Sequence, residues 1–292
     1  MNRISGQRIG FIGAGKVGVT LGAYLKAGGL PVAGYLSKSA GSARDAARIT
    51  STDCFTDIGA LVKACGIIFI TTPDGQIGWV WDRLARFDID NRIICHTSGA
   101  LSSEVFSGAT EHGAYAYSVH PMFAFSLKDG STAGLENAYF TIEGDGERLS
   151  EVCGLFAKTG NKTLLINPED KTLYHLANVT VSNLALALLS LGFDCFAGCG
   201  IGMESAMEAA APLIYGNIGN IMHKGFSESL TGPVERNDTG TVQKHADVLP
   251  EAMQGVYPLL SMRLIEIAQG KHPGRDYAKL REILLNMNQA KD

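Results

Sequence analysis

Arg8-Ile-Gly-Phe-Ile-Gly13-Ala-Gly15-Lys-Val-Gly18 is the stretch on which the fold turns. Ile9–Ile12 is a short apolar run with strand character, and Val17, Leu21 and Leu25 then recur at helical spacing across Lys16–Ala27. Between the two lies a G-x-G-x-x-G pattern. A glycine-rich chain makes that pattern by chance, so the strand before it and the helix after it give it its meaning. The first glycine allows a tight turn. The second lets the backbone approach a pyrophosphate, and the third lets helix and strand pack closely. Gly13, Ala14, Gly15, Lys16, Val17 and Gly18 are therefore candidate dinucleotide contacts, with main-chain N–H groups and the helix dipole meeting the anion.

Outward from this motif the same alternation continues. Arg8–Ile12, Pro31–Leu36, Gly66–Thr71, Arg92–His96, Tyr115–Val119, Ala138–Ile142 and Lys162–Ile166 read as strands, with helical spacing between the early ones. Such alternation predicts right-handed crossovers and an α/β fold with a doubly wound parallel sheet over residues 1–166. After Asn167 the texture changes. Pro168-Glu169-Asp170 opens a long apolar helix that runs to about Ala197 and ends at Gly198-Cys-Gly-Ile-Gly202. Helical patterns follow at Ser205–Leu213, at Ile214–Ser229, from Thr241, and across Glu251–Gln269, so residues 167–292 are expected to form an all-α domain. Leu184–Phe193 is ten apolar residues, too short to span a bilayer, and reads as a buried helix. Gly216 and Gly219 inside a helical pattern suggest close helix packing.

Composition narrows the function. The chain has 25 basic and 29 acidic residues in 292, with 15 of each before residue 166. Neither half carries the basic excess that nucleic-acid binding needs, and no polybasic cluster suggests a membrane surface. The N-terminal Met1–Arg8 has no apolar stretch, so a signal peptide is not expected. The six cysteines form no C-x-x-C pair. They read as buried free thiols of a cytoplasmic protein, and no metal site is expected.

The end of the second strand bears on the cofactor. An NAD site usually places an acid about 20 residues after the glycine motif, where it holds the ribose hydroxyls. Here the position reads Leu36-Ser37-Lys38-Ser39, which offers donors and a positive charge. NADP is the expected cofactor, with Ser37, Lys38 and Ser39 near its 2′-phosphate. Thr72-Pro73-Asp74 and Thr97-Ser98-Gly99 leave the next two strands, where they would flank the nicotinamide half. Hydride transfer also needs an acid–base group. His120, fixed by Pro121 at a strand exit, is one candidate. Lys171, His175 and Asn178 share one face of the long helix and form another. Downstream, Asp238 reads as the cap of the next helix, and Arg236 as a possible holder of an anionic substrate.

Taken together, Gly13–Gly18, Thr72–Asp74, His96–Gly99, His120-Pro121, Lys171, His175, Ser182-Asn183 and the Thr231-Gly-Pro-Val stretch through Arg236, Asp238 and Thr241 resemble one family. It is a group of uncharacterised Rossmann-type oxidoreductases with a helical C-terminal domain of unknown function. That group resembles the wider superfamily of 6-phosphogluconate, 3-hydroxyisobutyrate, ketopantoate and pyrroline-carboxylate dehydrogenases and reductases. In several of these a lysine and an asparagine one turn apart on the interdomain helix serve catalysis; this chain keeps Lys171 and has His175 at the second position. His120-Pro-Met-Phe is similar to the histidine loop of prephenate dehydrogenases, with Ala124 where those enzymes usually have glycine. The resemblance implies an NADP-dependent oxidoreductase and a homodimer formed through the helical domain. Its small carbonyl, imine or hydroxy-acid substrate would lie in an interdomain cleft. A non-catalytic NADP(H)-responsive protein and a deazaflavin-linked NADP reductase are the alternatives.

Overall fold

In a computed structural model the described residues are 7–125 and 129–289. Residues 1–6, most of the segment expected not to be a signal peptide, lie outside them. The first part of the chain runs β1 (Ile9–Ile12), α1 (Lys16–Ala27), β2 (Val32–Leu36), α2 (Ala40–Thr50), β3 (Asp53–Cys54), α3 (Ile58–Ala64), β4 (Ile67–Ile70), α4 (Asp74–Leu84), β5 (Ile93–His96), β6 (Tyr115–Pro121), β7 (Tyr139–Gly144), α5 (Leu149–Lys158) and β8 (Lys162–Leu165). Helices α6 (Lys171–Val179), α7 (Ala185–Gly198), α8 (Met203–Ser229), α9 (Thr239–Asp247), α10 (Val256–Lys271) and α11 (Ala278–Gln289) follow.

The strands form one sheet in the order β3-β2-β1-β4-β5-β6-β7-β8. The order reverses between β1 and β4, which is the switch point of a doubly wound fold. Every pairing is parallel except β6 with β7, which is antiparallel. β1, β4 and β5 are buried at every residue, as continuous apolar runs covered on both faces should be. Phe11 stacks on Tyr35 and Phe69 on one side of the sheet, while Ile12, Ile68, Ile70 and Ile94 pack with Trp81 on the other. β3, two residues long, carried no strand signal in the sequence.

The packing divides the chain into Met1–Thr180 and Val181–Asp292. The break thus falls after α6, later than the change of texture near residue 166. The physical reason is that Lys171, at the start of α6, is 2% exposed and bonded to strand β6. Between α6 and α7, Thr180–Leu184 forms a π-helical turn, so the long helix is not uniform. The second unit has its own core of Val234, Val242, Ile265, Ala268, Tyr277, Leu280 and Leu284.

Two expectations for that unit fail. No residue of α7 is buried, and Leu186 is 70% exposed, so Leu184–Phe193 is not a core helix within one chain. A methyl group added at Gly216 or Gly219 would meet nothing within 4 Å, so those glycines do not mark close packing within the chain either. The helical stretch Pro168–Gly198 as a whole is long and apolar enough, by length and composition, to cross a membrane. Among the cysteines, Cys65 and Cys95 are buried as expected, whereas Cys54 and Cys199 are exposed.

One buried side chain ties the first unit together. Asn161 Oδ1 accepts from Tyr24 Oη and from Thr159 Oγ1, each at 2.7 Å, and its Nδ2 donates to Leu135 O at 2.8 Å and Ala138 O at 3.0 Å. Removing it strands several buried partners. Asn161→Ala should therefore destabilise the first unit by roughly 2–3 kcal/mol in urea titration, and a loss below about 0.5 kcal/mol would mean that water replaces the amide.

Candidate active site

The glycine turn follows β1 at the carboxyl edge of the sheet. Gly13 has φ +116°, and a side chain there would collide with the Thr71 backbone at 2.7 Å. Gly18 sits under Thr71 as well, with only 2.4 Å from a would-be Cβ to Thr71 Oγ1. That hydroxyl donates to Gly13 O at 2.9 Å and locks the turn to the exit of β4. Gly15 differs: nothing lies within 4 Å of its missing Cβ. It is also the N-cap of α1, where no side chain caps the helix and no acid occupies the first turn. Free N–H groups at a helix start, beneath an open glycine, suit a pyrophosphate. Within the motif Ala14 is buried, while Gly15 and Lys16 are exposed and Val17 is half-buried.

At the end of β2, Lys38 is exposed and Ser37 half-buried. Ser39 has a structural task, since its hydroxyl accepts from Ser42 N at 3.3 Å and caps α2. These residues fit a dinucleotide, with Ser37 and Lys38 left to meet a phosphate on its ribose.

The next two strand exits are stitched to each other. Ser98 Oγ donates to Asp74 Oδ2 at 2.8 Å and accepts from the N–H groups of Ala100 and Leu101. His96 is fully buried beneath this loop. Its Nδ1 accepts from Ser98 N, so Nε2 carries the proton and donates to Ser102 O at 3.1 Å. Burial, aided by the charges of Lys171 and His120, pushes His96 down to about 4. It shapes the loop as a neutral ring. Thr72, Pro73 and Thr97 line the same edge without a comparable role.

The third group gathers on β6 and α6. Ser118 and His120 share one face of β6, two residues apart. Lys171 Nζ donates to Ser118 Oγ at 2.5 Å, and Ser118 Oγ donates in turn to Ser98 O at 3.5 Å. Burial lowers Lys171 to about 8, against the opposing pull of Glu143 and Asp74. His120 Nδ1 lies 2.7 Å from Tyr174 Oη. Burial, then the charges of Lys171 and His175, lowers His120 to about 4. A methyl group at Gly99 would come within 2.9 Å of both His120 Nε2 and His175 Nδ1, so two imidazoles converge on that bare α-carbon. Asn178 reaches back to Tyr174 O at 2.8 Å.

Lys171, His120, Asn178, Asp74, Ser98 and Gly99 are thus brought into one neighbourhood, which His175 joins with its buried Nδ1 unpartnered. Tyr174, Ser118 and Glu143 join them without having been singled out. Tyr174 stands at i+3 from Lys171, a spacing as close as the i+4 that exposed His175. Period two with His120 is the signal that could have marked Ser118. Glu143 lies directly across from Ser118 in the β6–β7 register and accepts from Ser103 N and Oγ at 2.8 and 2.7 Å. In the second unit Asp238 caps α9 through Thr241, as expected, and Arg236 is exposed.

Two family models match. Residues 2–121 match a Rossmann-like domain, and residues 138–264 match a domain of unknown function, DUF2520. The chain joins a Rossmann-like domain to a DUF2520 domain. Part of the DUF2520 match lies in the sheet, since it includes β7, α5, β8 and α6. No curated protein matches the sequence. Among solved structures, BF3122 of Bacteroides fragilis, provisionally named an NADP oxidoreductase, is 21% identical, with 89% of this chain and 98% of that one covered and a TM-score of 0.72. TM1727 of Thermotoga maritima is 25% identical over 90% and 99% of the two chains, with a TM-score of 0.68. Pyrroline carboxylate reductase of Plasmodium falciparum, with NADP bound, is 15% identical over 92% and 97%, with a TM-score of 0.56.

The depressed imidazoles make acid stability a test of this geometry. His96 and His120 take up protons near 6.5 when unfolded and only near 4 when folded. Their contribution is therefore complete above pH 6.5 and is lost as pH falls through 4. Denaturant titrations at pH 7 and pH 4.5 should show this loss, and His96→Asn should reduce it. A slope unchanged by that substitution would contradict a neutral buried His96.

Proposed function

We propose that this chain is an NADP-dependent oxidoreductase that moves a hydride between NADP(H) and a small carbonyl, imine or hydroxy-acid substrate. The observation that carries this reading is continuity along one sheet edge. Thr71 links the glycine turn to β4, Asp74 and Ser98 link β4 to β5, and Ser118 links β5 to β6 and Lys171. A pyrophosphate turn and a cluster of neutral acid–base groups are thereby held in one rigid frame, as such chemistry requires. The likeness to BF3122 and to an NADP-bound reductase supports the same reading.

The bound nicotinamide would supply or take the hydride. The chain's own part is to hold and to move a proton. Gly13–Gly18 would bind the pyrophosphate, and Ser37 and Lys38 the 2′-phosphate. His120, whose Nε2 lies with His175 Nδ1 beside the bare α-carbon of Gly99, would exchange a proton with the substrate. Lys171, nearly closed to solvent, serves as a fixed charge behind it.

Calorimetric titration with NADPH and NADH tests the cofactor. NADPH should bind at least ~10-fold more tightly, about 1.4 kcal/mol, and Ser37→Ala with Lys38→Ala should narrow the gap. Equal affinity, or tighter NADH, would sink the assignment.

We also propose that the helical unit pairs with a second copy of the chain. Leu186, Leu213, Met222 and Phe226 are each at least 65% exposed, a larger apolar display than a monomer ordinarily leaves in water. Sedimentation should give a dimer at micromolar concentration, and Leu186→Glu should weaken it. A wild-type monomer, or partition into detergent micelles without dimers, would refute the pairing.

A further inference from the structure

We propose that Tyr174 is the positioning residue of His120: its hydroxyl fixes the ring and replaces at Nδ1 the proton that Nε2 gives to the substrate. The inference rests on the oxidoreductase reading and assigns the proton path within it.

The argument starts from charge. His120 titrates near 4, because burial and the charges of Lys171 and His175 oppose an imidazolium. At pH 7 the ring is neutral and holds a single N–H proton. A neutral imidazole that gives up its only proton becomes an imidazolate, which is strongly unfavourable. The loss is feasible only if the other nitrogen gains a proton at the same time. At Nδ1 the partner is Tyr174 Oη, 2.7 Å away, with the two rings edge to face at 5.6 Å.

The direction of that hydrogen bond follows from elementary acidity. A phenol, near pKa 10, is a far better donor than a neutral imidazole N–H, and an imidazole nitrogen is the better acceptor. Tyr174 therefore donates to Nδ1, and the proton of His120 sits on Nε2. Burial raises the Tyr174 phenol further, so it stays protonated at neutral pH. Lys171 is poorly placed to act directly, since it is 2% exposed and its ammonium is engaged with Ser118. It can act on Tyr174 through its charge, because Nζ lies 5.5 Å from the centre of the Tyr174 ring.

The step balances. When a hydride from a reduced nicotinamide reaches a carbonyl carbon, the C=O π electrons move onto oxygen. An O–H bond forms as the His120 Nε2–H bond breaks. A Nδ1–H bond forms as the Tyr174 O–H bond breaks, leaving a phenolate beside the Lys171 ammonium. A solvent proton then binds Nε2 as the product leaves, the Nδ1–H bond breaks and the Tyr174 O–H bond re-forms, which restores the phenol and the first tautomer of the ring. An imine nitrogen takes the proton in the same way.

Nitrogen-15 spectra of histidine-labelled protein at pH 7 read the tautomer directly. The wild type should show His120 protonated at Nε2, and Tyr174→Phe should abolish that preference. In turnover, Tyr174→Phe should lower kcat by about 100-fold while KM and NADPH affinity stay nearly unchanged. Wild-type His120 protonated at Nδ1 would overturn the proposal, as would a Tyr174→Phe enzyme of normal kcat. If no carbonyl or imine is turned over by the wild type, the oxidoreductase reading falls, whereas the tautomer still decides the proposal here. That measurement uses the unaltered chain, so a folding defect in the variant would not obscure it.

Discussion

The bond from Lys171 Nζ to Ser118 Oγ is the contact on which the site depends. Drawing an ammonium out of water costs several kcal/mol, and it persists only where other groups offset that cost. Here Ser118 accepts from it directly, while Glu143 and Asp74 add negative charge nearby. The same bond pins the first turn of α6 to β6. Tyr174 and His175 are then carried, by helical geometry alone, to His120 and Gly99. It also explains why the compact sheet unit extends to Thr180: the helix that begins at Lys171 is anchored in the sheet before it leaves.

One buried positive charge has consequences for its neighbours. Burial holds His96 and His120 neutral, and that charge reinforces the effect by disfavouring a second. Under the proposed proton path, a site so arranged works by tautomer rather than by net charge. His96 shows this in its structural form, with one nitrogen accepting and the other donating along the loop. His120 has Tyr174 Oη at Nδ1, while its Nε2 lies with His175 Nδ1 beside the bare α-carbon of Gly99. The difference between a scaffold histidine and a chemical one lies in what faces the second nitrogen.

Much of this was legible in the sequence, for particular reasons. Continuous apolar runs betray strands covered on both faces, and a glycine turn between strand and helix betrays the phosphate site. Period 3.6 also revealed Lys171 with His175. What stayed hidden depends on pairing between segments distant in the chain. Glu143 matters because antiparallel register sets it opposite Ser118, and nothing local to residue 143 signals that. Tyr174 was concealed by its type, since a tyrosine on a partly apolar helix reads as packing. β3 was too short to carry a pattern. The exposure of Cys54, Cys199 and α7 was misread for a shared reason. Apolar character predicts that a surface will be covered but not which molecule covers it.

The glycines make the same point more sharply. Gly13 and Gly18 are required because a side chain would strike Thr71. Gly15, Gly216 and Gly219 have empty space where a side chain would be. Emptiness alone does not distinguish a ligand site from a packing site, but its surroundings do. Around Gly15 the neighbours are unpaired N–H groups at the start of α1, which an anion satisfies. Around Gly216 and Gly219 they are the exposed Leu213, Tyr215, Ile218 and Met222 of α8, which only another apolar surface satisfies. A glycine-rich composition thus carries two unrelated instructions. One is to leave room for a phosphate, and the other, under the proposed pairing, is to leave room for an apolar surface. The chemistry of the flanking residues decides which applies.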